Sequence, residues 1–297
     1  MSTPTLIALD TAIKFKDYSA YRFRAEVDWI ELRIITVKPT NFQTVKRRLN
    51  VPYVEALNAD AGGAATVFKT KFQSPRCWAE VNERIQCLAE DHQLAEPIKV
   101  ERVEIAFDAY SKALSRPQLV EMALQFYRAA QKLVSTNRRV SKTKRDRSTN
   151  LLVASEVKTA LTDGFNIYIG EESDAERQHI YVKETDAANP LPLDQKRART
   201  EFTLAGQKIT EPMFNAWMEH DFTQFAPYFK FRQLKNPLPP SVAHARHMLA
   251  QYGECRPRRV PNGNTRLFSS STTADAKLNA LAFDALRELT RRWKAKA

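Results

Sequence analysis

Cysteine is scarce in this 297-residue chain: Cys77, Cys87 and Cys255 are all there is, and no two stand as CxxC. An odd count without that spacing excludes a disulfide-stapled scaffold and a zinc ribbon, and implies reduced thiols. Long apolar runs are missing too. No stretch is long enough to span a bilayer, and "MSTPTLIALDTAIKFKDYSAYRF" at the start lacks a continuous apolar segment of the signal-peptide kind. A cytoplasmic protein without a membrane partner is expected. Acidic residues are in deficit, with 34 Asp and Glu against 46 Lys and Arg, a net charge of +12. Such a balance draws a chain to anionic partners, of which nucleic acid is the commonest, although it also describes a merely basic surface. Disorder throughout is excluded by 43% hydrophobic residues.

What is present alternates between strand and helix patterns. "DWIELRIITVKP" reads as a strand ending at Pro39, and "TNFQTVKRRL" as a short helix capped near Thr40 or Asn41. "GGAATVFKTKFQ" alternates as a strand does. Pro75 to Leu94 has helical spacing through Trp78, Val81, Ile85 and Leu88. "IKVERVEIAFDAY" is the most strand-like segment of the first half, followed by a helix over "SRPQLVEMALQFYRAAQKLV". Three more strands are expected in "GFNIYIG", "RQHIYVKE" and "RARTEFTLAG". A closing helix from about Thr273 carries the apolar stripe Leu278, Leu281, Ala285, Leu289 and Trp293. The fold class is therefore α+β: an antiparallel or mixed central sheet with helices on one face, followed by a mainly helical C-terminal region.

Three of these strands collect polar groups on one face. In "VERVEIAFD" these are Arg102, Glu104 and Asp108; in "RQHIYVKE", His179, Tyr181 and Lys183; in "RARTEFTLAG", Arg197, Arg199, Glu201 and Thr203. If the strands are neighbours, one surface holds three carboxylates, a tyrosine, a histidine and several cations. That set suits phosphodiester transfer. Carboxylate oxygens suit a hard divalent ion such as Mg²⁺ or Mn²⁺, which polarises a phosphate. A tyrosine hydroxyl with a pKa near ~10 needs a cation nearby to become a nucleophile. Arginine and lysine hold the phosphate. Any sheet with one wet face shows the same alternation, so pattern alone leaves plain packing open.

The order of "RVEIAFD", "GFNIYIGEESDAERQHIYVKETD" and "RARTEFTLAG", with the earlier "VDWIELRI", resembles the replication initiation factor family over roughly residues 27–205. Its members are rolling-circle initiators of small plasmids and filamentous phages, with related relaxases of conjugative elements. The resemblance implies a catalytic nicking domain over 27–208; weak periodicity before it leaves an N-terminal arm over 1–26, and the pattern after it a helical C-terminal region over 209–297, a candidate for DNA binding or origin recognition. The resemblance also implies Tyr181 as the nicking nucleophile, forming a 5′-phosphotyrosyl link, with Lys183 and Arg199 on the scissile phosphate. Glu104, Asp108 and Glu201 would hold Mg²⁺ or Mn²⁺. His179 stands where arginine is usual and Val182 where Asp or Asn is usual. His179 could donate to phosphate or assist the tyrosine proton, or have no role. A non-catalytic DNA-binding replication regulator and a relaxase for conjugative mobilisation are the alternatives.

Two basic stretches are candidate phosphate contacts: Arg138, Arg139, Lys142, Lys144, Arg145 and Arg147 in one, Arg258 and Arg259 in the other. The expected partner is origin DNA, single-stranded or supercoiled, inside a bacterial host cell. There is no Walker A pattern, so unwinding calls for a host helicase; a homodimer is left open. The His-hydrophobe-His metal motif of the other large initiator class is absent, and His244 and His247 in "HARH" lack an evident third ligand.

Overall fold

A computed structural model describes residues 17–129, 138–141, 154–186, 188–234 and 272–295. Strand β1 (Tyr21–Asn41) begins inside the segment expected to be an arm. Its first half alternates Tyr21, Phe23, Ala25 and Val27 toward the core, a pattern hidden by the charges between them. It leads into α1 (Phe42–Leu49), where the Asn41 side chain accepts from the Gln43 amide at 2.8 Å, the cap that its residue type favours. There follow β2 (Tyr53–Ala56), β3 (Ala64–Gln73), α2 (Trp78–Asp91), β4 (Lys99–Ser111), α3 (Arg116–Ala129), β5 (Arg138–Ser141) and α4 (Ala154–Thr162). Then come β6 (Asn166–Ile169), β7 (Glu176–Lys183), the small hairpin β8 (Thr185–Asp186) and β9 (Asn189–Pro190), and β10 (Arg197–Ala205). The chain closes with β11 (Arg232–Leu234), β12 (Thr272–Ala274) and α5 (Ala276–Lys294).

Eight strands form one sheet in the order β2-β3-β1-β4-β10-β7-β6-β5, and every pairing is antiparallel. The fold is thus α+β with an antiparallel sheet and a helical C-terminal segment. On the sheet's apolar face, Phe107 of β4 meets Phe23, Phe126 of α3, Phe229 and Phe231 at centroid distances of 5.4–6.1 Å. Each such aromatic, fully buried, contributes up to about 3 kcal/mol. Residues of the C-terminal region share this core, with Trp217, Phe222, Leu286 and Trp293 all buried in it. Helix α5 packs against β1, where pairing with β3 stops at Trp29 and leaves the first half of that edge open. There the Arg292 Nη2 donates to the Ala25 carbonyl at 2.5 Å. No described helix is long and apolar enough to cross a membrane, and Cys77 and Cys87 are free thiols.

Two local features set the site. Between β6 and β7, Gly170 has φ +97°, and a Cβ there would lie 3.2 Å from the Glu176 carbonyl, so the turn that aims β7 requires glycine. In β1 the register with β4 slips between Val27 and Trp29, which makes Asp28 the extra residue of a β-bulge. The bulge lets Glu26, Asp28 and Trp29 all serve the polar face.

Candidate active site

The central strands put the polar side chains in register rows. Asp108, Arg199 and Tyr181 form one row across β4, β10 and β7. Two residues further along β10, Glu201 faces His179, which in turn faces Tyr168 on β6. Next, Glu104, Thr203 and Arg177 align.

Arg199 is fully buried and gives all five of its N–H groups to carboxylates. Its Nε and Nη2 grip Asp108 at 2.6 and 2.7 Å in a bidentate fork. Nη1 donates to Asp28 at 2.5 Å and Glu201 at 3.2 Å, and Nη2 also reaches Glu26 at 3.0 Å. With no donor left over, Arg199 aligns the acids and is not presented to a phosphate. Asp108, held also by the Arg197 Nε at 3.2 Å, is wholly buried in this network.

The acids that converge are Asp28, Glu104 and Glu201: one carboxylate oxygen from each lies within 4.8 Å of the others. Glu104 accepts from the Trp29 indole at 2.5 Å and from the Thr203 hydroxyl. Burial, then repulsion from Glu201 and Asp28, pushes its carboxyl up to about 7. Glu201 is likewise pushed up to about 7, by burial and then by Asp28. Burial also acts to raise Asp28, but the charges of Arg199 and Lys183, with hydrogen bonds from Arg199 and Gln73, outweigh it and leave it below the usual range. Such crowding of hard oxygen donors, with two acids driven toward the protonated form, is what a divalent ion would relieve, so the donor set fits Mg²⁺ or Mn²⁺. Asp28 thus stands where the sequence pointed to Asp108.

Tyr181 donates its hydroxyl to Glu201 Oε1 at 2.9 Å, and His179 Nδ1 lies 2.9 Å from Oε2 of the same carboxylate. The rings of Tyr168, His179 and Tyr181 stack at 4.3 and 4.2 Å. Burial, then the Glu201 charge, holds the Tyr181 hydroxyl well above its ordinary pKa of 10. Lys183 lies 3.8 Å from Asp28 and 3.4 Å from Asp186. The structure therefore brings Tyr181, His179, Lys183, Arg199, Glu104 and Glu201 together. Arg138 and Arg139 fall in β5. Lys142, Lys144, Arg145, Arg147, Arg258, Arg259, His244 and His247 lie outside the described residues.

Asp28 escaped notice because strict alternation sets it on the face opposite Trp29 and Glu31. The available signal was a change of phase: Glu26 and Asp28 are polar at even positions, Glu31 and Arg33 at odd ones, which is what a bulge between them produces.

No family profile matches the chain, and no curated protein matches it. Among solved structures, a rolling circle replication initiator protein from Geobacillus stearothermophilus is similar at 13% identity and a TM-score of 0.39, over 93% of this chain and 99% of that one. An aspartate kinase from Synechocystis is similar at 10% identity and a TM-score of 0.18, over 90% of this chain and 55% of that one.

Proposed function

We propose that this chain is a DNA nickase and strand transferase that initiates rolling-circle replication at an origin. The observation that carries the proposal is the hydrogen bond from Tyr181 to Glu201, a member of the acidic trio with Asp28 and Glu104. Those three carboxylates would hold Mg²⁺ or Mn²⁺, which when bound polarises the scissile phosphate.

The remaining work falls to the chain's own side chains. The Tyr181 oxygen attacks phosphorus, the bond to the 3′ oxygen breaks, and the protein becomes linked to the 5′ phosphate. Because its pKa is held high, the hydroxyl gives up its proton as it attacks, and Glu201 Oε1 is the acceptor within reach. That proton is then available to the departing 3′ oxygen, which becomes the priming hydroxyl. His179, bonded to the other Glu201 oxygen and stacked on the Tyr181 ring, orients both. Phosphate contact falls to Lys183, since Arg199 is saturated by its acids and acts as a positioning residue. The basic residues of 138–147 and 258–259 belong to the same proposal as phosphate contacts, with a host helicase supplying the unwinding.

The Arg199 network also favours a second reading. One guanidinium already offsets the charge of Asp28 and Glu201, two of the three acids of the trio, which suits a DNA-binding regulator that keeps the sheet and lacks the chemistry. Incubation with supercoiled origin DNA and Mn²⁺ separates the two. Open circles from the native protein, and none from Tyr181→Phe with binding retained, support the nickase. No open circles from any candidate origin would leave the regulator.

A further inference from the structure

Beside the row of Asp108, Arg199 and Tyr181 runs another, of which the nicking chemistry uses only Lys183. Arg22 of β1 pairs with Tyr110 of β4, and Arg197 of β10 pairs with Lys183 of β7. The guanidinium groups of Arg22 and Arg197 both lie over the Tyr110 ring, 4.7 and 5.5 Å from its centroid, which joins the two pairs into one strip. Rows two residues apart along a strand are about 7 Å apart, so the strip runs next to Tyr181 on the side away from Glu104. Charge at this end is unbalanced. Its acids are Glu26 and Asp108, both engaged by Arg199 and approached by Arg197, and Asp186, paired with Lys183. Around them stand Arg22, Arg24, Arg197 and Arg292, and burial followed by the Arg24 charge lowers the Arg292 pKa. Arg22 is exposed, and among the described residues its guanidinium has no carboxylate partner.

We propose that Arg22 and Arg197, held by the Tyr110 ring, bind the backbone phosphate that neighbours the scissile one and guide a single strand across β1, β4 and β10 into the site. This rests on the nicking proposal, and it names the route by which that substrate enters. The Arg22 fork fits a phosphate's paired oxygens, Arg197 adds charge beside it through the edge that Asp108 and Gln195 leave open, and stacking on the ring keeps both oriented before substrate arrives. Closely spaced cations cost stability unless an anion offsets them, which gives the strip its preference for a polyanion over a neutral ligand.

The test is fluorescence anisotropy with a fluorescein-labelled 20-mer of oligo(dT), titrated between 50 and 300 mM NaCl. For single strands, log K against log salt changes by about 0.7 for each phosphate contact. Arg22→Ala, an exposed change, should make the slope shallower by about 0.7. Arg197→Lys keeps the charge and loses the planar stack on Tyr110, so it should weaken binding with the slope nearly kept. Arg287→Ala, on the outer face of α5, should match the native protein. An unchanged slope in Arg22→Ala, with the native protein still binding and nicking, overturns the strip and leaves the nicking proposal standing. Failure of the native protein to bind the oligonucleotide at any salt overturns both.

Discussion

Replacing Arg199 with methionine should expose how the acidic centre is held together. The side chain is entirely buried, and its removal leaves Asp108, Asp28, Glu26 and Glu201 facing one another without their shared cation. Breaking one buried ion pair costs about 3–5 kcal/mol, a large part of the about 5–15 kcal/mol that holds a typical domain. Urea unfolding followed by tryptophan fluorescence should register a loss of that size at pH 7.5. The sign of its pH dependence follows from the acids. Without Arg199, burial is no longer outweighed and the folded-state pKa of Asp28 rises above its unfolded value, so the folded variant binds more protons as pH falls. Its deficit relative to the native protein should shrink by about 1.4 kcal/mol for each unit of raised pKa between pH 7.5 and about pH 4. Mn²⁺ should stabilise the variant more than the native protein, because the ion meets more unbalanced charge. A deficit below about 1 kcal/mol, or one equal at pH 7.5 and pH 5, would refute this account of Arg199.

Three further outcomes are expected. Calorimetric titration with Mn²⁺ at pH 7 should release about one proton in total, since Glu104 and Glu201 each titrate at about 7, and close to none at pH 8.5; equal release at both pH values would speak against these ligands. His220, packed on Trp217 and near Phe222 and Phe225, has its pKa lowered by burial to about 4. It is neutral when folded but protonates below about 6.5 when unfolded, so its contribution is full above pH 6.5 and lost as pH falls toward 4. That amounts to about 3 kcal/mol, and unfolding of His220→Leu should show a correspondingly flatter acid limb. Gly170→Ala should cost about 1–2 kcal/mol through the forced positive φ, read as a lower urea midpoint, and a neutral result would deny the turn its role in aiming β7.

Much of the sheet was legible because period-2 alternation is a local property. "RQHIYVKE" and "RARTEFTLAG" become β7 and β10 as their patterns indicate, and their polar faces meet in register. Short edge elements were not legible. β2, β5 and the β8–β9 hairpin span two to four residues each, too few for a periodic signal. The site divides along the same line. Glu104, Tyr181 and Glu201 lie on regular strands whose faces can be counted, whereas Asp28 depends on a bulge and Asp108 is claimed by an arginine on another strand. Long-range pairing of that kind leaves no trace in local spacing: Arg199 and Asp28 are 171 residues apart.

The most direct measurement is the chemical fate of Tyr181 itself. A single-stranded oligonucleotide containing the origin nick site, labelled downstream of it, is incubated with protein and Mn²⁺, digested with trypsin and sequenced by mass spectrometry. The account predicts a peptide carrying a 5′-phosphonucleotide on Tyr181, absent in Tyr181→Phe and without metal. Strand cleavage with the adduct on another residue, or with none, would contradict it.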